Sequence, residues 1–199
     1  MLKRLYLIAL IPVLAACTQV SNQNGNNNNI AKSDTVTSVS VLPEQLIVPG
    51  KSIGKLSIDQ DADKAISDLG KPDSSDAAMG SALITWFANH DPSGNRTTIF
   101  TRRNMGGADE RVARVKRILI TSPDFKTAEG VATGSTYMAI TEHYSLKEVH
   151  AYTKGNSHIK VLTDYARGIS FDIDSSNTVC VAITVYQPGD NAGSYIDMH

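Results

Sequence analysis

The sequence predicts an α+β fold built from two tandem repeats, each a helix packed on an antiparallel β-sheet. Three observations predict it. An amphipathic helical face beginning at Asp61 recurs in the same register 75 positions later, at Thr136. The apolar strand Val115, Ile118, Ile120 ahead of Pro123 recurs 65 positions later as Cys180, Ile183, Val185 ahead of Pro188. Between helix and final strand, each segment carries strand-like runs separated by short turn sequences.

The chain begins with a 16-residue stretch that reads as a signal peptide. Lys3 and Arg4 form a positive start, and Leu5 to Val13 a short apolar run. That run is too short to cross a bilayer, which takes about 20 apolar residues. Leu14-Ala15-Ala16-Cys17 follows, an aliphatic residue, two small residues and a cysteine. The pattern resembles the lipobox of bacterial lipoproteins. It implies cleavage before Cys17 and attachment of lipid to its thiol, with the membrane as the first partner. A single acyl chain anchors only marginally, at about 0.8 kcal/mol per buried CH₂, whereas two or three anchor durably. Thr18, not Asp, follows the cysteine, which resembles lipoproteins sorted to the outer membrane.

Residues 17–45 form the expected tether. Positions 18–40 are rich in Asn, Ser, Gln and Thr, with no apolar periodicity. Such a segment spans roughly 25 Å, from about 5–6 Å times the square root of its length.

The first repeat is assigned to residues 46–124. Ala62, Ala65, Ile66 and Leu69 lie on one helical face, with Asp59 or Asp61 to cap the start, Gly70 to end it and Pro72 to prevent continuation. Strands are expected at Ile53 to Ile58, Ala82 to Ala88 and Thr97 to Arg102, with a turn at Asp91-Pro92-Ser93-Gly94-Asn95. The second repeat is assigned to 125–189, with Tyr137, Ile140, Thr141 and Tyr144 on its helix and strands at His158 to Tyr165 and Gly168 to Asp174. Residues 190–199 form a tail. The shrinking offset places about ten extra residues in the first repeat, at Arg102 to Arg111 around Met105-Gly106-Gly107.

Leu69-Gly70-Lys71-Pro72 after an amphipathic helix, then Ile84-Thr85-Trp86-Phe87, resembles the BamE (SmpA/OmlA) lipoproteins. The tandem layout also resembles β-lactamase-inhibitor-protein-like folds. The likeness covers residues 50–123, and 128–188 only in outline, because Leu-Gly-x-Pro is absent there. It implies a membrane-tethered domain that binds protein.

Charge and cysteine usage narrow the function further. The chain has 19 Lys and Arg against 20 Asp and Glu, and loss of Lys3 and Arg4 with the leader leaves a net −3. That is no footprint for nucleic acid. With Cys17 acylated, Cys180 has no disulfide partner, and its apolar run Val179 to Val185 reads as buried strand. Pro49-Gly50-Lys51-Ser52 resembles the end of a P-loop, but Gln45 stands where the motif needs glycine, so no nucleotide is expected. The five histidines show no His-x-x-x-His spacing, and there is no Cys-x-x-Cys, so no metal or other cofactor is expected. Asp172, Asp174 and Asn177 lack the mid-loop glycine and terminal Glu of an EF-hand and read as a hairpin turn. No Gly-x-Ser-x-Gly elbow is present.

A basic run remains: Arg102, Arg103, Arg111, Arg114, Lys116 and Arg117, broken by Asp109 and Glu110. It reads either as solvated strand edges, where charge deters pairing, or as a surface for an acidic partner or anionic headgroups. The partner-binding candidates are Arg102, Arg103 and Arg111. The leading expectation is an envelope lipoprotein that binds another envelope protein as scaffold, assembly factor or inhibitor. The alternatives are an envelope hydrolase with dispersed catalytic residues and a small-ligand or cell-wall binder using Trp86; a buried Trp86 would mark it as core.

Overall fold

The computed structural model describes residues 41–190 and Met198. The leader, Cys17 and most of the tether lie outside the described residues. A 3-10 turn at Pro43–Gln45 leads into β1 (Leu46–Val48), β2 (Ser52–Ile53) and β3 (Leu56–Ser57). Then come α1 (Ala62–Leu69), β4 (Ser74–Ala78), β5 (Ser81–Phe87), β6 (Arg96–Arg103) and β7 (Ala113–Ile120). The chain continues with β8 (Lys126–Thr127), α2 (Tyr137–Thr141), β9 (Lys147–Lys154), β10 (Ser157–Asp164), β11 (Ile169–Asp174) and β12 (Val179–Tyr186).

Local signals explain α1. The Asp61 carboxylate accepts from the Asp63 amide at 2.9 Å, and Gly70, at φ 85°, ends the helix while donating to the Ile66 carbonyl. Ala62 and Ala65 turn inward. In α2 the Thr136 hydroxyl accepts from the Ala139 amide, and Ile140 is buried. The expected single strand over Ile53 to Ile58 is instead a tight hairpin, Ile53 pairing with Leu56 across Gly54 and Lys55. Gly54 takes φ 53° there, which a side chain would resist.

The tandem helix-on-sheet expectation is overturned. The fold is mostly β, organised as one eight-stranded antiparallel sheet and one four-stranded sheet. The large sheet runs β4-β5-β6-β7-β12-β11-β10-β9, so it crosses the boundary assigned between 46–124 and 125–189. The small sheet runs β3-β2-β1-β8 and crosses it too, through the parallel pairing of Leu46 with Lys126 and Ile47 with Thr127. The physical reason lies in the two final strands. From Arg117 to Ile120 and from Ala182 to Tyr186, residues facing both sides are buried. Neither strand can serve as a solvated edge, and they bury one another by pairing, Ile183 with Ile120 and Val185 with Ile118. The helices, eight and five residues long, cover only parts of the sheet.

One face of the large sheet carries the main core. Ile84, Trp86, Ile99, Ile118, Phe171, Ile183 and Val185 pack with Ile47, Ile53 and Leu56 of the small sheet, Ala65 of α1, and Ile140 with nearby Tyr144 from the α2 segment. Trp86 is 8% exposed, and its Nε1 donates to the Gly70 carbonyl at 2.9 Å. It ties the sheet to the end of α1, and its burial marks it as core rather than as a ligand-binding surface residue.

Candidate functional site

The inserted stretch between β6 and β7 and the turn joining β4 to β5 meet at one end of the large sheet. The loop at Asn104 to Val112 is held from within. The Gly107 amide donates to the Asn104 carbonyl, the Asn104 amide nitrogen to Asp109 at 3.1 Å, and the Gly106 amide to Glu110 at 3.1 Å. The Arg103 amide donates to the Gly80 carbonyl, and Met105 packs so closely on Gly80 that a Cβ there would sit 2.8 Å from its sulfur. Met79, at φ 49° on the turn, is fully exposed, and Met105 is 62% exposed.

The strand register then gathers the cations. Arg102 stands directly opposite Arg114. Residues 59–61 run along the other edge of β7: the Asp59 amide donates to the Val115 carbonyl, and the Val115 amide to Gln60. This brings Lys116 Nζ to 2.6 Å from Asp59 Oδ1, while Arg114 Nε lies 3.9 Å from Asp109 Oδ2. The result is an open groove of about 660 Å³ lined by Asp59, Met79, Arg102, Arg103, Asn104, Met105, Asp109, Arg114 and Lys116. Beside it, a hollow of about 480 Å³ between α1 and the β4–β5 turn shares Met79, Arg103 and Met105.

Of the three candidates named from sequence, Arg102 and Arg103 line the groove, and Arg111 lies exposed on the loop outside the lining. None of the three has an ion pair among the described residues. Arg114 and Lys116 were part of the basic run, and the register makes them groove residues. Met79 and Met105 went unread as site residues. A methionine beside glycine at a turn between strands, Met79-Gly80, was the available signal.

Two further clusters fix structure. Glu129 receives Arg167 Nη2 at 2.7 Å and the Tyr144 hydroxyl at 3.1 Å, and the guanidinium lies 4.5 Å from the Tyr144 ring centroid. Burial raises the Glu129 pKa, but the Arg167 hydrogen bond and its other donors outweigh it and hold the carboxyl at about 2. Burial pushes Tyr144 up to about 12. Both groups keep one protonation state at neutral pH, as befits a clasp between the β8–α2 loop and the β10–β11 turn. At the other cluster, Asp73 accepts from the Phe87 amide at 2.7 Å and contacts His90 Nδ1 at 2.6 Å. The backbone hydrogen bond from Phe87, then His90, lowers its pKa.

Asp172 and Asp174, read as turn residues, stand on β11 itself. Asp174 opens the turn by accepting from the Ser176 amide. Asp172 is buried and accepts from the Tyr152 hydroxyl at 2.9 Å. Cys180 is buried, and burial raises its pKa steeply, as suits a packing thiol. Among the described residues no three His, Cys, Asp or Glu side chains converge on a metal-sized site.

No family model and no curated protein sequence matches this chain. Among solved structures it is similar to an extracellular protein containing a SCP domain from Bacillus anthracis str. Ames, at 12% identity and a TM-score of 0.43. That match covers 66% of this chain and 44% of the other, so the chain spans less than half the length of the protein it matches.

Proposed function

We propose that this chain is an envelope lipoprotein, anchored in the outer membrane by lipid on Cys17, whose β-sheet domain binds an acidic segment of another envelope protein. The reading rests on the Leu14-Ala15-Ala16-Cys17 pattern for the anchor and on the basic groove for the binding. The observation that carries the binding role is the pair Arg102 and Arg103, exposed, without ion pairs among the described residues, and flanked by the exposed methionines Met79 and Met105. Flexible thioethers beside guanidinium groups suit a surface that adapts to a partner segment. Rim charges of this kind add little affinity each, about 0.2–1 kcal/mol, but they steer encounter and set salt dependence. The likeness of Leu69-Gly70-Lys71-Pro72 and Trp86 to BamE-type lipoproteins supports an assembly or inhibitory role.

The test is crosslinking in intact envelopes. The wild type should capture a partner whose yield falls several-fold as salt is raised. Arg102→Glu with Arg103→Glu should lose that capture while Cys17 remains lipidated. Equal capture by the reversed protein overturns the groove as the binding surface. Binding of the wild type to protein-free anionic vesicles through the same two arginines would reassign the groove to lipid headgroups.

A further inference from the structure

The face of the large sheet turned away from the main core has a different composition. Alternation along the strands and their register place Thr85, Thr98, Leu119, Thr184, Ser170 and Thr163 in one row across six strands. Hydroxyls bond along it, Thr85 to Thr98 at 3.0 Å and Ser170 to Thr163 at 3.0 Å, with the Thr163 hydroxyl also bonded to Tyr186. Arg117 stacks over Tyr186, and Asp172 is buried nearby. On this face lies a small apolar patch, Phe100, Leu119 and Ala182, with Leu83 at its side, and farther along β10 the register adds Val161 and Ile159. A permanent core face would be continuously apolar. An apolar centre ringed by polar groups is the anatomy of an interface.

Met198 occupies that centre. It is buried against Phe100, Leu119 and Ala182, and its carbonyl accepts from Arg96 Nη2 at 3.0 Å. The contact pairs an apolar side chain with a main-chain hydrogen bond, the two features by which a surface holds an extended peptide. Beside Met198, Arg96 Nε is buried without a hydrogen-bond partner among the described residues, and a cavity of about 350 Å³ adjoins Ala182, lined by Arg96, Tyr152, Lys154, Ser157 and Ile159 among others.

We infer that this second face is a peptide-docking surface for the chain's own C-terminal segment, whose Met198 occupies its apolar centre in the structure. Vacating the seat opens the face to the same segment supplied in trans. This goes beyond the groove reading and does not rest on it.

The experiment uses a fluorescein-labelled peptide copying residues 191–199 and reads anisotropy. A chain ending at Asp190 should bind it. The full chain should bind at least tenfold more weakly, because its own tail competes at a high effective concentration. A peptide carrying Asp in place of Met198 should also bind at least tenfold more weakly to the shortened chain. No binding by a shortened chain that keeps its buried-Trp86 fluorescence overturns the inference, and so does equal binding by the full chain. If the shortened chain does not fold, Met198→Asp in the full chain takes its place and should bind the wild-type peptide. A folded Met198→Asp chain that does not bind overturns the inference. Failure of both variants to fold does too, since Met198 would then be a fixed part of the core.

Discussion

Replacing Asp172 by Asn should change how stability depends on pH. Asp172 is 1% exposed, on β11, with its Oδ2 accepting from the Tyr152 hydroxyl. Burial lifts its carboxyl from 3.8 to about 7, against the opposing pull of the Tyr152 hydrogen bond and the charges of Arg96 and Lys154. Between about pH 4 and 7 the native carboxyl therefore holds a proton that the unfolded chain has released. The native state binds more protons, so stability falls as pH rises through that window and stays reduced above it. A shift of roughly three units corresponds to about 4 kcal/mol as a ceiling, at about 1.4 kcal/mol per unit. Asn is neutral throughout and still offers Tyr152 an acceptor oxygen. Urea denaturation followed by Trp86 fluorescence at about pH 4.5 and pH 8 measures the difference. Relative to the wild type, Asp172→Asn should gain about 2–4 kcal/mol between those two conditions. Profiles that run parallel would show that Asp172 ionises as freely in the native chain as in the unfolded one, and the reasoning would be wrong.

Two further outcomes test the packing. Gly168 has φ 68°, and an added Cβ would collide with the Tyr186 carbonyl and approach the Pro188 nitrogen to 2.9 Å. Gly168→Ala should cost more than about 2 kcal/mol, whereas Gly130→Ala, at φ 84° with nothing within 4 Å, should cost about 1 kcal/mol; equal urea midpoints would refute the clash. Cys180 should resist a thiol reagent at about pH 8 in the native state and label fully in urea, measured in a Cys17→Ala background; prompt native labelling would contradict its burial.

What the sequence revealed followed the range of each interaction. The helix α1 was legible because its cap, its glycine stop and its apolar face all lie within a dozen residues. Its counterpart α2 was legible in position but ran shorter than its pattern, ending at Thr141. β4, Ser-Ser-Asp-Ala-Ala, was invisible. Its residues are poor strand formers and all are exposed, and it forms because the edge of β5 templates it. β9 was hidden for a similar reason: its side chains at the sheet edge are mostly polar and none is fully buried. The fold class was misread because sheet continuity is a long-range property. The likeness of β7 and β12 was visible, but it was read as a sign of two separate sheets. In fact two strands buried on both faces satisfy one another. In the groove, the basic run was legible, whereas its convergence with Met79 and Asp59 depends on strand pairing that no local pattern encodes.

That pairing also bears on why the arginines are there. Charge along a strand often serves to deter edge-to-edge association, and the basic run was open to that reading. The topology removes it for Arg102, because β6 lies inside the sheet between β5 and β7, and the edges are β4 and β9. Nor does Arg102 support the fold from its position. It stands opposite Arg114, and like charges directly opposed across an antiparallel pair destabilise it, in a class of interactions worth about 0.2–1 kcal/mol. The loop acids relieve only one side of it: Asp109 lies 3.9 Å from Arg114 and Glu110 is engaged with the Gly106 amide, which leaves Arg102 without an ion pair among the described residues. A chain that keeps Arg102 opposite Arg114 at an interior position, with no acid of its own for Arg102 among the described residues and two exposed methionines beside it, retains a cost that stability alone does not explain. An acidic segment laid in the groove would relieve it, which makes the Arg102–Arg114 opposition the strongest physical support for the binding role.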